Sequence, residues 1–244
     1  MGQLEIQVAV AKVHRYASSE SGDTLEMIER PHGGLSFVLA DGQGHGRPAK
    51  AISNLVAKKA VGLLADGVRD GAAARGTHDF LYAYRQGKVS ATLNIVSVDL
   101  ASRSIVLSRN SHCPVIVSST VGLRCLDEES QPIGIFPGTK PVITEVPMAP
   151  DTHVIVFTDG ILEAGARFGL RFDVVNLVTS LLANSQLDVQ ALAEAILAAA
   201  IARDQGRPND DMSVLVLRMA STEEKGEVRR LLVSFPLGET IDKR

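Results

Sequence analysis

The stretch Leu35-Ser36-Phe37-Val38-Leu39-Ala40-Asp41-Gly42-Gln43-Gly44-His45-Gly46-Arg47-Pro48 runs an apolar segment into an acid, then into closely spaced glycines. The apolar part predicts a strand buried on both faces, and Asp41-Gly42 predicts a turn at its end. From Pro48 to Leu64 the apolar positions Ile52, Leu55, Val56, Ala60 and Leu63 follow helical spacing, with Pro48 tolerated in a first turn. A strand, an acid at its tip and a helix entered through glycines is one unit.

Working outward, Leu4, Ile6, Val8 and Val10 alternate with small or polar residues, the period of a half-buried strand. Ser90 to Leu100, Ser104 to Arg109 and Pro114 to Ser119 are rich in Val, Ile and Leu and separated by short polar turns, which predicts an antiparallel meander. After a Pro/Gly-containing loop at Gln131 to Gly138, strands are expected at Val142 to Val146 and Val154 to Thr158. A helix is expected along Val189, Leu192, Ile196, Ala199 and Arg203, then a last strand from Met212 to Arg218. Strands and helices in this order predict an α+β fold with mostly antiparallel sheets, because a parallel sheet needs regular strand–helix alternation.

With 244 residues, 45% hydrophobic and 22% charged, the chain has enough apolar material for a core and too little charge bias for disorder. Residues 1–220 are read as one domain and 221–244 as a charged tail carrying Glu223-Glu224-Lys225 and Arg229-Arg230. A formal charge of −3 with scattered basic residues argues against a nucleic-acid partner. No apolar run nears the roughly 20 residues of a membrane span, and neither a signal peptide nor a lipidation pattern is present. Cys113 and Cys125 cannot build a disulfide framework or a four-ligand zinc site, so a cytoplasmic location is expected.

Four acids fall at strand ends: Asp23 in Ser21-Gly22-Asp23, Asp41, Asp159 in Thr158-Asp159-Gly160, and Asp210 in Asn209-Asp210-Asp211-Met212-Ser213. Strand ends converge in space. Carboxylates brought together repel unless a cation neutralises them, and hard oxygen donors with few His or Cys nearby select Mg²⁺ or Mn²⁺ over Zn²⁺. Singly, an Asp-Gly pair is an ordinary turn. The rival nucleotide-binding reading of Gly42 to Gly46 fails because a dinucleotide loop needs Gly at Arg47 and a phosphate loop needs Gly-Lys-Ser/Thr. No nucleophile elbow is present.

Taken in order, Ser-Gly-Asp at 21 to 23, Asp-Gly-Gln-Gly-His-Gly at 41 to 46, Ser-Ala-Thr-Leu at 90 to 93, Phe-Thr-Asp-Gly at 157 to 160 and Asp-Asp-Met-Ser-Val at 210 to 214 resemble the PPM (type 2C) metal-dependent protein Ser/Thr phosphatases. Within these the bacterial SpoIIE/RsbU-like branch is closest, and Asn110-Ser111-His112-Cys113-Pro114 looks like that branch's Asn-Ala-Gly-His-x-Pro segment. In length the chain resembles the short stand-alone members that act in bacterial partner-switching stress signalling.

The resemblance implies a four-layer α-β-β-α sandwich of two mostly antiparallel sheets flanked by helices. It implies two Mn²⁺ or Mg²⁺ ions: Asp41 bridging them, the Gly42 carbonyl and Asp23 on the second, Asp159 and Asp210 on the first. Asp211 takes a supporting or third-metal place. The implied activity is hydrolysis of phosphoserine or phosphothreonine by metal-activated water, on a phosphorylated protein such as a STAS-type or anti-anti-sigma regulator. The alternative is an inactive phosphatase fold that only binds such a regulator. Gln43 stands where eukaryotic relatives carry a His thought to protonate the leaving group, which leaves His45 as the candidate acid. His112 is expected to be structural and away from the acids, and Cys113 a small buried hydrophobe. No arginine occurs in Tyr16 to Glu20, so the metals are expected to hold phosphate alone.

Overall fold

In the computed structural model, which describes residues 3–31, 33–183, 187–222 and 228–234, ten strands form two five-stranded sheets. The first sheet contains β1 (Gln3–Val13), β6 (Val115–Ser119), β7 (Gly122–Leu126), β9 (His153–Phe157) and β10 (Met212–Thr222), ordered β1-β10-β9-β6-β7. The second contains β2 (Asp23–Glu29), β3 (Leu35–Gly42), β4 (Ala91–Asp99), β5 (Ser104–Asn110) and β8 (Val142–Pro147), ordered β2-β3-β4-β5-β8. Every neighbouring pair is antiparallel. Five helices cover the outer faces: α1 (Gly46–Ala65), α2 (Asp70–Arg85), α3 (Asp159–Leu162), α4 (Val174–Leu182) and α5 (Val189–Arg203).

Period-two alternation sorts the strand side chains into three cores. Along β3, Phe37 and Leu39 face the other sheet, whereas Val38 and Ala40 face α1. In β10, Leu215 and Leu217 turn into the sandwich while Val214 and Val216 pack towards α4 and α5. Both faces of these strands are dry, which is why they read as continuous apolar runs. The expected α-β-β-α layering is what the chain forms.

The meander is different from the expected one. β4 and β5 pair, but β6 pairs with β7 and β9 in the other sheet. The segment 110–114 carries the chain between sheets. Buried Arg109 fixes it, donating from Nη1 to the Ser111 carbonyl at 2.7 Å and from Nη2 to the Glu128 carbonyl. Asn110 Nδ2 donates to the carbonyls of Gln131 (3.0 Å) and Lys140 (3.2 Å). Such side-chain bonds replace a ladder where the backbone leaves its sheet.

Sequence periodicity also passes over β2, β7, α2, α3 and α4. α2 buries Asp70, Ala73, Ala74, Thr77, His78 and Leu81, a face too small and too polar to stand out as an apolar stripe. Its first turn is anchored electrostatically: Arg30 Nη1 lies 2.9 Å from Asp70 Oδ2, with side chains 12% and 7% exposed, and Ser97 Oγ donates to Asp70 Oδ1. The last strand runs to Thr222, so the expected tail at 221–244 begins inside β10. Residues 228–234 have no regular structure, and Arg229 pairs with Glu29. Glu223-Glu224-Lys225 lies outside the described residues. No helix among the described residues is long and apolar enough to cross a membrane.

Asp70→Ala removes one partner of a nearly buried ion pair and leaves Arg30 uncompensated, so a loss of about 3–5 kcal/mol of stability is expected in urea denaturation. A loss under about 1 kcal/mol would show the pair to be solvated like a surface bridge.

Candidate metal centre

Register puts the first two acids face to face: Asp23 opens β2 and is the antiparallel partner of Asp41 at the end of β3. Thr92, from the Ser-Ala-Thr-Leu stretch, is the partner of Asp41 on the other side. The other two acids come from the opposite sheet, Asp159 directly after β9 and Asp210 just before its neighbour β10. The cluster therefore straddles one end of the sandwich.

Hydroxyls from one sheet hold the carboxylate of the other. Thr158 Oγ1 donates to Asp23 Oδ2 at 3.0 Å and Ser213 Oγ donates to the same oxygen at 2.6 Å. Thr158 Oγ1 in turn accepts the Ser213 N–H at 3.0 Å. Asp23 is 1% exposed, and its other oxygen, Oδ1, is buried with no hydrogen-bond partner. Lys12 and Lys50 both donate to the Asp23 backbone carbonyl, at 3.0 and 2.6 Å.

Asp211 spends both oxygens on backbone: Oδ1 accepts the Arg15 N–H at 2.9 Å and Oδ2 the Gly22 N–H at 2.7 Å. It ties the loop before β2 to the loop before β10, which fits the supporting place rather than a third-ion ligand. Two glycines let the pieces close up. A Cβ on Gly42 would stand 2.1 Å from the Ala49 carbonyl oxygen, and one on Gly160 2.2 Å from the Asp211 carbonyl oxygen. No side chain fits at either position.

Charge is what the cluster lacks compensation for. Burial first, then repulsion from Asp23, Asp159, Asp210 and Asp211, pushes the Asp41 carboxyl up to about 9. Burial raises Asp23 to about 7, against the pull of Ser213, Lys12 and Thr158. Asp159 is raised by burial and by Asp210, with His112 opposing, and Asp210 by burial, with the Asp211 N–H, Arg15 and His45 opposing. Among the described residues no three acidic, His or Cys side chains stand as a closed ligand cage. The orphaned buried oxygen of Asp23, across the ladder from Asp41, fits a hard divalent cation.

Three placements revise the sequence reading. His112 comes within electrostatic range of Asp159, because the 110–114 segment crosses between the sheets. Arg15, one residue ahead of Tyr16, is tied by its N–H to Asp211 and acts electrostatically on Asp210. Gln43 does not point to proton transfer: its Oε1 accepts the Ser90 N–H at 2.9 Å, and its own N–H donates to the Ser90 carbonyl at 3.1 Å. His45 is the exposed residue preceding α1, makes no cap bond and stands near Asp210. Cys113 is buried with its thiol pushed far up by burial, so it stays a protonated hydrophobe, as expected.

Comparison with known proteins agrees with this geometry. The family model for stage II sporulation protein E (SpoIIE) matches residues 31–220. Stage II sporulation protein E of Priestia megaterium is 21% identical over 225 residues, 90% of this chain and 37% of its own length; this chain thus spans little more than a third of that relative. The PP2C phosphatase domain of SpoIIE from Bacillus subtilis, solved with a fragment of its regulatory domain, superposes with a TM-score of 0.77 at 19% identity, covering 92% of this chain and 66% of that one. RsbX, solved in complex with magnesium, superposes with a TM-score of 0.66 at 17% identity over 90% of this chain and 100% of that one. With four acids from two sheets meeting at one end of a two-sheet sandwich, and with that match across most of its length, the chain belongs to the SpoIIE family and has the fold of its PP2C phosphatase domain.

Proposed function

We propose that this chain hydrolyses phosphoserine or phosphothreonine on a regulatory protein, with Asp23, Asp41, the Gly42 carbonyl, Asp159 and Asp210 holding two Mg²⁺ or Mn²⁺ ions. The observation that carries this reading is half-buried Asp41, paired across the β2–β3 ladder with Asp23 and repelled by Asp23, Asp159, Asp210 and Asp211. Carboxylates so placed repel one another, and a hard divalent cation is the partner that relieves all of them at once. When bound, the ions supply Lewis acidity that polarises phosphoryl oxygens and makes water a nucleophile at neutral pH.

The chain's own residues do the rest. Thr158 and Ser213 fix the carboxylate of Asp23, while Asp211 sets the spacing of the two loops that deliver Asp23 and Asp210. Arg15, whose charge acts on Asp210, is assigned the pairing with phosphate oxygens. A seryl oxygen leaves as an alkoxide and needs a proton; the imidazoles at the rim are His45 and His112, and His45 is assigned the donor role. The partner class, a STAS-type or anti-anti-sigma regulator of partner switching, rests on the family resemblance of the motifs, and the cytoplasm is the compartment that fits it.

Asp41→Asn is expected to cut metal-dependent hydrolysis of p-nitrophenyl phosphate and of a phosphoserine protein by at least about 100-fold with the fold intact. Full activity in that variant would overturn the two-ion reading; a wild-type protein inert with Mg²⁺ and Mn²⁺ would favour the binding-only alternative. His45→Gln is expected to slow phosphoserine hydrolysis by about 100-fold while sparing p-nitrophenyl phosphate, whose leaving group needs no proton. The same selectivity in His112→Gln instead would move the assignment.

Folded pKa values of about 9 for Asp41 and about 7 for Asp23 lie above the ordinary carboxylate value of about 3.9. The metal-free folded state then holds protons that the unfolded chain has released. The contribution of these two groups to its stability is full below about pH 4 and is lost as pH rises through about 7 and about 9. Thermal unfolding in EDTA should show Tm dropping from about pH 6 to about pH 9, with Mn²⁺ restoring more at the higher pH. A Mn²⁺ effect independent of pH would count against these acids as the ligands.

A further inference from the structure

A cleft of about 680 Å³ is lined by Tyr16, Arg167, Phe168, Gln205 and Arg207, on segments continuous in the chain with those that carry Asp159 and Asp210. Both of its walls grow out of the site. The Tyr16 N–H donates to the Pro208 carbonyl at 2.9 Å, two residues before Asp210, and α3, which begins at Asp159, leads through a 3-10 turn at Ala166–Phe168 into the other wall.

Each guanidinium rests on an aromatic face. Arg207 Cζ is 5.2 Å from the Tyr16 ring centroid and Arg167 Cζ is 4.6 Å from that of Phe168. Arg167 Nη2 also donates to the carbonyls of Asp204 (3.0 Å) and Arg207 (3.1 Å), which fixes its plane. Among the described residues neither arginine has an ion-pair partner. The nearest buried carboxylate, Asp204, is already engaged, accepting the Gly165 N–H at 2.9 Å and the Asn209 N–H at 2.6 Å. Stacked arginines keep their outward N–H edges for a carboxylate, and a stack fixed in advance loses little side-chain entropy on binding.

The geometry points to this cleft as a docking subsite for the acidic residues that flank the phosphorylated serine or threonine of a protein substrate. This rests on the phosphatase reading above and deepens it. The substrate's phosphate enters the carboxylate cluster, and its neighbouring Glu or Asp side chains reach Arg207 and Arg167. Specificity for acidic segments then comes from the rim and not from the metal centre.

Fluorescence anisotropy on the full chain separates the two readings, using a labelled serine peptide with flanking glutamates and its glutamine twin, both unphosphorylated so that turnover plays no part. The acidic peptide is expected to bind about tenfold more tightly at low salt. Arg207→Gln, whose side chain has only the Tyr16 ring as a recorded contact, should abolish most of that preference, and Arg207→Lys should retain part of it. On the phosphorylated forms the same variant should raise KM for the acidic peptide alone, leaving kcat and p-nitrophenyl phosphate turnover unchanged. Equal binding of the twins by the wild type, or a preference that survives Arg207→Gln together with Arg167→Gln, would overturn the subsite. Loss of all hydrolysis with the binding preference intact would refute the catalytic reading and leave the subsite standing.

Discussion

The carboxylate of Asp23 belongs to one sheet and is gripped by the hydroxyls of Thr158 and Ser213 from the other. That contact is where the two halves of the sandwich are bolted together at the functional end. A buried carboxylate costs several kcal/mol unless it is hydrogen-bonded or neutralised. Two hydroxyls satisfy one oxygen and leave the other bare, so the fold is satisfied short of completion. The remaining demand falls on whatever cation enters. Structure and chemistry meet in one side chain, with the apolar cores on either side fixing the distance between the sheets.

Around that point each neighbour has a positioning task that polarity alone does not reveal. Asp211 resembles a ligand in sequence but bonds two backbone N–H groups. Gln43 occupies a place suited to an acid and instead staples the Asp41 turn to Ser90. The acidic centre is thus bordered by residues whose polar atoms are already committed, and Asp23 Oδ1 is left without a protein partner.

Much of this was legible in the chain. Strands buried on both faces announce themselves as unbroken apolar runs, as in Val154 to Phe157 and Val214 to Leu217, and the Asp-Gly punctuation marked their ends. What escaped had physical reasons. α2 buries alanines, Thr77, His78 and a paired Asp70, so no apolar stripe betrays it. β2 has Thr24, Glu26 and Ile28 on one alternation and Leu25 and Met27 on the other, too mixed to show which face is inward. The crossing at 110–114 was invisible because periodicity describes a strand's faces and not its partner, and His112 was misplaced for that reason. Arg15 was missed by one residue: its position is set by the long β1 ladder with β10, a contact between chain ends that no local pattern encodes.

The clearance at Gly42 and Gly160 bears on how relatives of this protein can be judged. Each lies against a carbonyl oxygen at a distance that leaves no room for a methyl group. A single alanine at either place would force strand end and helix apart and misalign the carboxylates without removing one of them. An intact set of acids is therefore a poor certificate of competence in this family. The geometry of the centre depends on two residues whose contribution is the absence of a side chain.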